Sequence, residues 1–383
     1  MKIAFVSTMN AFPWGGSEAL WAKTARCALN EGHQVLISVF DWSVDQPAIR
    51  DLCAGGAVLH VRPRGRKPPP RSLAVRVRRR LSALLPVAEP VVPSPYEGVR
   101  AFAPDVLCLS QGGTFDVVYD RPLQHLLGTL NYCLLCQHNY ETGILPYAQI
   151  KVARAVFGRA RRVFFVADRN RETAERQLGQ ALPHAVTVGN PLNVIPGDPV
   201  PFPPANPPSF ACVARLDCNF KGQDILLQVL GAPRWRERRW QLNLYGQGPD
   251  EAFLRDLAAF YGLGDRVHFR GHVDDIRGVW AANHLQLMPS VSEGTPLALA
   301  EAMLCGRPAV VTDVGGNASL VREGFTGFVA EAPSPAAFGR ALERAWGQAG
   351  QWEAYGADAY RFARSHVDLK PDQTLLGLLL GHG

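Results

Sequence analysis

Apolar positions along the chain fall into short runs of four to seven residues, separated by glycine turns and by stretches with helical spacing. "KIAFVS" opens the sequence, the turn "WGGSE" follows, and a helical pattern runs from about Ser17 to Asn30 before "GHQVLISVF". Strand, glycine turn, helix and strand in under forty residues predict a βαβ unit. Further strands are predicted at 57–61, 105–110, 132–138 and 162–167, with a helix at 147–160. The alternation then restarts at "FACVARL" (210–216). It continues through strands at 240–246, 266–271, 285–290 and 308–313, with helices at 223–230, 250–261, 276–281 and 296–305. Runs buried on both faces and alternating with helices predict parallel sheets covered by helices.

Between the two series lies "NPLNVIPGDPVPFPPANPPSF", with eight prolines in twenty-one residues. Proline lacks the amide that a helix or central strand needs, so this stretch is expected to be a linker. The expected division is a first α/β domain over 1–190, a linker over 191–209, and a second α/β domain over 210–350. The helical segment 351–383 is expected to return to the first domain. Two doubly wound domains place a ligand cleft at the carboxyl ends of their strands. No internal repeat is evident.

At 383 residues the chain has material for two cores, and 47% apolar with 19% charged residues describes a globular protein. No apolar run approaches the roughly 18–20 residues of a membrane span. The first residues lack the apolar core and cleavage site of a signal peptide, so a cytoplasmic location is expected. Eight cysteines are scattered, and "CLLC" at Cys133–Cys136 has no second pair, so no metal site is expected. The net charge of +6 is uneven: nine Lys or Arg fall between Arg62 and Arg80, and no Asp or Glu between Leu52 and Ala88.

The chemistry concentrates in "SVSEGTPLALAEAMLCGRPAVVTDVGGN" (290–317). Pro296 suits the first position of a helix with Thr295 as its cap, and the amides of residues 294–297 then favour an anion. Glu293 lies beside that position and Glu301 within the helix, where carboxylates can accept from vicinal hydroxyls. Two solvated glutamates would show the same spacing. In "ARLDCNFKGQD", Arg215 closes a strand and Lys221 opens a helix, a pairing suited to a diphosphate, although surface charges would look alike. Gly15 and Gly16 permit a tight turn and close approach to a ligand, with Ser17 as a cap. His138 ends a strand, in the cleft by fold geometry, where it is available for proton handling or as a structural histidine.

Taken in order, "GGSE", "GHQV", strand-final His138, "ARLD…KG", "LYGQGP", "VHFRGHV", "EGTPLALAEAM", "GRPAVVTDVGGN" and "GFTGFV" resemble the family 4 glycosyltransferases of the GT-B fold. The resemblance spans nearly the whole chain and is strongest over 210–330. It implies two Rossmann-like domains facing across a cleft, the first binding the acceptor and the second a nucleotide-diphosphate sugar. It assigns Arg215, Lys221 and Gly16 to the donor diphosphate and Glu301 to the ribose. Glu293, Gly294, Thr295, Pro296 and Leu297 are assigned to the donor sugar, and Arg270 and Val273 to the base. Glu293 and His138 are placed at the reacting centre. It further implies a retaining hexosyltransferase that needs no metal or cofactor, acting in polysaccharide or glycoconjugate synthesis on a glycan, lipid-linked or small acceptor. The family often has Gly where this chain has Ala214. A nucleotide-sugar epimerase on the same scaffold and a non-catalytic nucleotide-sugar-binding module are the alternatives; a phosphorylase would need a cofactor lysine and a far longer chain. Nothing points to nucleic acid.

The basic block remains. "RSLAVRVRRRLSALL" (71–85) gathers leucines near one helical face, and a basic amphipathic helix can lie on an anionic membrane. Residues 62–85 would then make a peripheral contact at the inner membrane face. A leucine-packed helix with solvated arginines fits the same pattern, and arginines binding a charged soluble acceptor are a third reading.

Overall fold

The computed structural model describes residues 1–10, 13–64, 94–139, 141–193, 197–204 and 207–381, which form two α/β domains. The first sheet comprises β1 (Lys2–Ser7), β2 (Gln34–Phe40), β3 (Val58–Arg62), β4 (Val106–Gly113), β5 (Tyr132–His138), β6 (Arg162–Phe165) and β7 (Ala185–Thr187). All seven are parallel, in the order β3-β2-β1-β4-β5-β6-β7. The second comprises β8 (Ser209–Val213), β9 (Gln241–Tyr245), β10 (Val267–Gly271), β11 (Leu285–Met288), β12 (Ala309–Thr312) and β13 (Gly327–Ala330). These too are parallel, in the order β10-β9-β8-β11-β12-β13.

In each sheet the order reverses beside the first strand, between β1 and β4 and between β8 and β11. A doubly wound sheet opens a crevice at that switch point, because the connections on either side leave in opposite directions. Each sheet is sandwiched between two apolar cores. Cys133 packs in one core of the first sheet and Cys136 in the other, as a three-residue offset on a strand requires, so the two thiols cannot share a ligand.

Several elements depart from the expectation. Strands β7 and β13 were not anticipated, since three or four residues carry too little periodicity to stand out from a loop. The C-terminal segment divides: helix Trp352–His366 packs on helix Leu297–Leu304 in the second domain, and helix Pro371–Leu380 crosses back onto helix Gly16–Asn30. Helix Leu297–Leu304 starts one residue later than expected, with Pro296 as its N-cap. Thr295 does not cap it, because its hydroxyl donates to Val166 O in the first domain at 2.7 Å. Ser17 does not cap helix Gly16–Asn30 either; Gly15 stands there, with no side-chain bond.

Most of the basic block, 65–85, lies outside the described residues. Arg62 does not belong to its exposed charge. It is 1% exposed, donates to Tyr96 Oη at 2.9 Å and to the carbonyls of Ser7 and Ser38, and stacks over Phe40. Arg64 pairs with Asp41 and lies over Trp42.

The "GRP" stretch has a packing role. Arg307 is 1% exposed and donates to the carbonyls of Trp280, Asn283, Val200, Pro201, Cys305 and Gly306 at 2.6–3.1 Å. It thereby ties the proline-rich linker to the second domain and satisfies carbonyls at the end of helix Leu297–Leu304. Arg307→Ala should destabilise the protein by about 3 kcal/mol or more in urea unfolding, because several buried carbonyls lose a charged donor together. A loss below ~1 kcal/mol would show that these carbonyls do not depend on the guanidinium.

Candidate active site

The two switch-point edges face each other and enclose a cavity of about 970 Å³. From the first domain it is lined by Met9, Gly16, Ser17, Gly112, Gln137 and His138. From the second come the turns after β8 and β11, the loop at His272–Asp274 and the start of helix Leu297–Leu304. Both sides are strand-to-helix turns at carboxyl edges, where backbone amides and short loops converge.

The expected site residues largely come together here. Gly16, His138, Arg215, Lys221, Val273, Glu293, Gly294, Thr295, Pro296, Leu297 and Glu301 all line the cavity. Arg270 does not line it. On β10 it projects to the sheet's neighbouring strand, and its Nε donates to Asn243 Oδ1 at 2.8 Å, whereas His272, Val273 and Asp274 line the cavity. The resemblance put Arg270 with Val273, and a linear motif carries no sign of the side of the strand to which a side chain points.

Glu293 is 6% exposed, and its Oε1 accepts from Lys221 Nζ and from Ser290 Oγ, both at 2.7 Å. Among the described residues its Oε2 has no hydrogen-bond partner. Lys221 closes the short helix Cys218–Lys221 rather than opening the next one, and Gly222 follows it at φ +62°. A Cβ on Gly222 would lie 2.3 Å from Pro289 O, so this turn needs glycine to set Lys221 against the β11 edge. Arg215 lies two residues past β8, with its guanidinium 3.8 Å from Asp217 Oδ2.

His138 Nε2 lies 2.8 Å from Ser292 Oγ across the cleft, and its ring meets Phe220 edge-on. Burial lowers its pKa, with Lys221 adding to the effect and Glu293 opposing it, so the ring is neutral at pH 7. Glu301 is 3% exposed and accepts from the Asn193 backbone N–H at 2.8 Å; burial raises its pKa, partly offset by Asn193 and Lys23. Gly16 borders the cavity, and a Cβ there would meet nothing within 4 Å. The space above it is open.

Ser290, Ser292 and Asn193 escaped notice in the sequence. The two serines precede Glu293 in "SVSE", but only the fold shows that one supports the carboxylate and the other meets His138.

Residues 207–348 match the family described as glycosyl transferases group 1. Among curated proteins, the chain is 34% identical over 184 residues to a D-inositol 3-phosphate glycosyltransferase of Salinispora tropica, 45% of this chain and 37% of that one. It is 28% identical over 197 residues to an exopolysaccharide phosphotransferase of Streptomyces coelicolor, 51% of this chain and 20% of that one. The chain thus spans between a fifth and somewhat over a third of these relatives' lengths. Among solved structures, Anabaena HepE in complex with UDP superposes with a TM-score of 0.71 at 18% identity, with both chains fully covered. Sucrose-phosphate synthase from Thermosynechococcus elongatus gives 0.72 at 17%, covering 100% of this chain and 99% of that one.

Glu18, in the first turn of helix Gly16–Asn30, supplies a pH test. It is 3% exposed and accepts from Trp21 Nε1 at 2.9 Å; burial pushes its carboxyl up to about 7 against hydrogen bonds from Ser7 and Trp21 and the charge of Arg62. A raised pKa contributes stability that is full below the unfolded value near 4.5 and is lost as pH rises to about 7. The loss amounts to about 3 kcal/mol. Urea unfolding at pH 5, 6, 7 and 8 should show this decline in the wild type and its absence in Glu18→Gln; parallel curves would contradict it. Residues 207–348 thus carry the glycosyl transferase group 1 pattern, and the whole chain has the two-domain fold of the GT-B glycosyltransferase structures.

Proposed function

We propose that this protein is a retaining, metal-independent glycosyltransferase of family 4, moving a sugar from a nucleotide-diphosphate sugar to an acceptor held by the first domain. The observation that carries the reading is the Lys221–Glu293 pair, poised at the β11 edge opposite Gly16 with Glu301 in the same cavity. Lys221 and Arg215 supply the charge to hold a diphosphate and to stabilise it as a leaving group, and the turn at 294–297 adds backbone dipoles. Glu301 would take the ribose hydroxyls. Glu293 Oε2 is available for a hydroxyl of the donor sugar, and neutral His138 meets the reacting centre from the acceptor side. The base would lie against Val273. The HepE complexes with UDP and with UDP-glucose support a uridine nucleotide as the first donor to try.

For the acceptor we infer a glycan or lipid-linked substrate of cell-surface polysaccharide synthesis, reached from the cytoplasmic face. No described helix is long and apolar enough to cross a membrane. Preference for anionic over neutral liposomes, lost when Arg76 and Arg78 to Arg80 become Gln, would support a peripheral contact. Equal sedimentation with both vesicles would remove it.

Isothermal calorimetry with UDP, GDP and ADP tests the donor site. Glu301→Ala and Lys221→Ala should each weaken binding about tenfold, the equivalent of one charged hydrogen bond. Unchanged affinity in both variants would mean that the nucleotide site is elsewhere. Turnover assays with labelled nucleotide sugars test the chemistry. Glu293→Ala and His138→Ala should depress kcat far more than nucleotide affinity. EDTA should leave activity intact; abolition with rescue by Mg²⁺ or Mn²⁺ would overturn the metal-free mechanism. Epimerised donor without transfer would indicate an epimerase, and binding without turnover a non-catalytic module.

A further inference from the structure

The turn Asp313–Gly316, after β12, touches the backbone of the loop just assigned to the donor sugar. Gly316 N donates to Gly294 O at 3.1 Å, and a Cβ on Gly315 would lie 2.2 Å from Glu293 O. No water or side chain fits between the two, so a displacement of the turn displaces Glu293 and Gly294.

The first domain grips this turn from across the cleft. Arg169, in the first turn of helix Asp168–Leu178, donates through Nη1 to Asp313 Oδ1 at 2.6 Å. Its Nε lies 2.7 Å from Glu141 Oε1 and its Nη2 donates to Glu141 Oε2 at 2.9 Å, a bidentate pair. Glu141 Oε1 in turn accepts from Gly315 N at 3.2 Å. One guanidinium therefore orients a carboxylate that binds the turn's amide, while binding the turn's own carboxylate itself. The planar fork matters, since a point charge cannot satisfy both carboxylates in fixed directions.

We infer that Arg169 and Glu141 are positioning residues for the donor-sugar loop, holding it in register through the Asp313–Gly316 turn when the two domains are closed. The loop's position then depends on the first domain, so sugar contacts at Glu293 and Gly294 form in step with delivery of His138 to Ser292. The role as a donor-sugar aid rests on the proposed glycosyltransferase reading; the mechanical coupling does not.

Hydrogen exchange on the ligand-free protein separates the two. Arg169→Ala should speed exchange roughly three- to tenfold in 314–317 and in 291–297, because a partly exposed ion network is worth a modest factor. Exchange in β2 should stay unchanged. Arg169→Lys should restore part of the protection, and 1 M salt, where the Debye length is about 3 Å, should speed exchange in the wild type more than in Arg169→Ala. Acceleration confined to 314–317 overturns the coupling, and acceleration throughout the protein shows a general loss of stability instead. Calorimetry then compares each of UDP, GDP and ADP with its glucose ester. Arg169→Ala should weaken the nucleotide sugar more than the nucleotide, and equal weakening overturns the donor-sugar role. Absence of nucleotide binding by the wild type would sink the glycosyltransferase reading and leave the exchange result standing.

Discussion

Gly294 meets the backbone of Gln137 with no room for a side chain: a Cβ there would lie 2.5 Å from the Gln137 carbonyl oxygen and 3.1 Å from Val166 Cγ2. Two sheets that belong to different domains come together at this point, edge to edge, through main chain rather than through side chains. The His138–Ser292 contact and the Thr295 bond to Val166 cross the cleft on either side of it. Glycine permits the approach at a turn that parallel topology directs to the carboxyl edge.

Around this approach the protein buries charge in an orderly way. Arg307 and Arg62 are enclosed by carbonyl oxygens, so each cation is solvated by fixed dipoles in place of water. Glu293 is buried against a lysine and a hydroxyl. Burial raises the pKa values of Glu18 and Glu301, since it takes water away from the charged form. A site that holds its charges in this way needs little reorganisation when an anionic ligand arrives.

The arrangement also divides labour between the domains. The second domain contributes charges and turn amides suited to a diphosphate sugar. The first contributes a glycine-lined helix start, a neutral imidazole and the Arg169–Glu141 pair. Residues of both domains line the cavity.

Much of this was legible in the amino-acid sequence. Runs such as "QVLISVF" and "YCLLCQH" are apolar on both faces, and a strand so patterned must be central in a covered parallel sheet. The proline count of 190–210 pointed to a linker because proline's missing amide acts locally. Glu293, Glu301, Lys221 and His138 could be placed at carboxyl edges because strand ends and turns are themselves local features, and all four line the cavity. What escaped was decided at long range. Short edge strands β7 and β13 exist by pairing with neighbours, not by their own pattern. Arg62 and Arg270 look like any exposed cation in a linear string, yet one is enclosed by Tyr96 and two carbonyls and the other turns towards Asn243. Thr295 had the composition of a helix cap and bonds instead to a carbonyl 129 positions earlier. Local propensity is set by a residue's own backbone and nearest neighbours, so the chain by itself determined which segments become strands, helices and turns. Which side chains meet across the cleft was decided by the packing of two sheets whose edges are far apart in sequence.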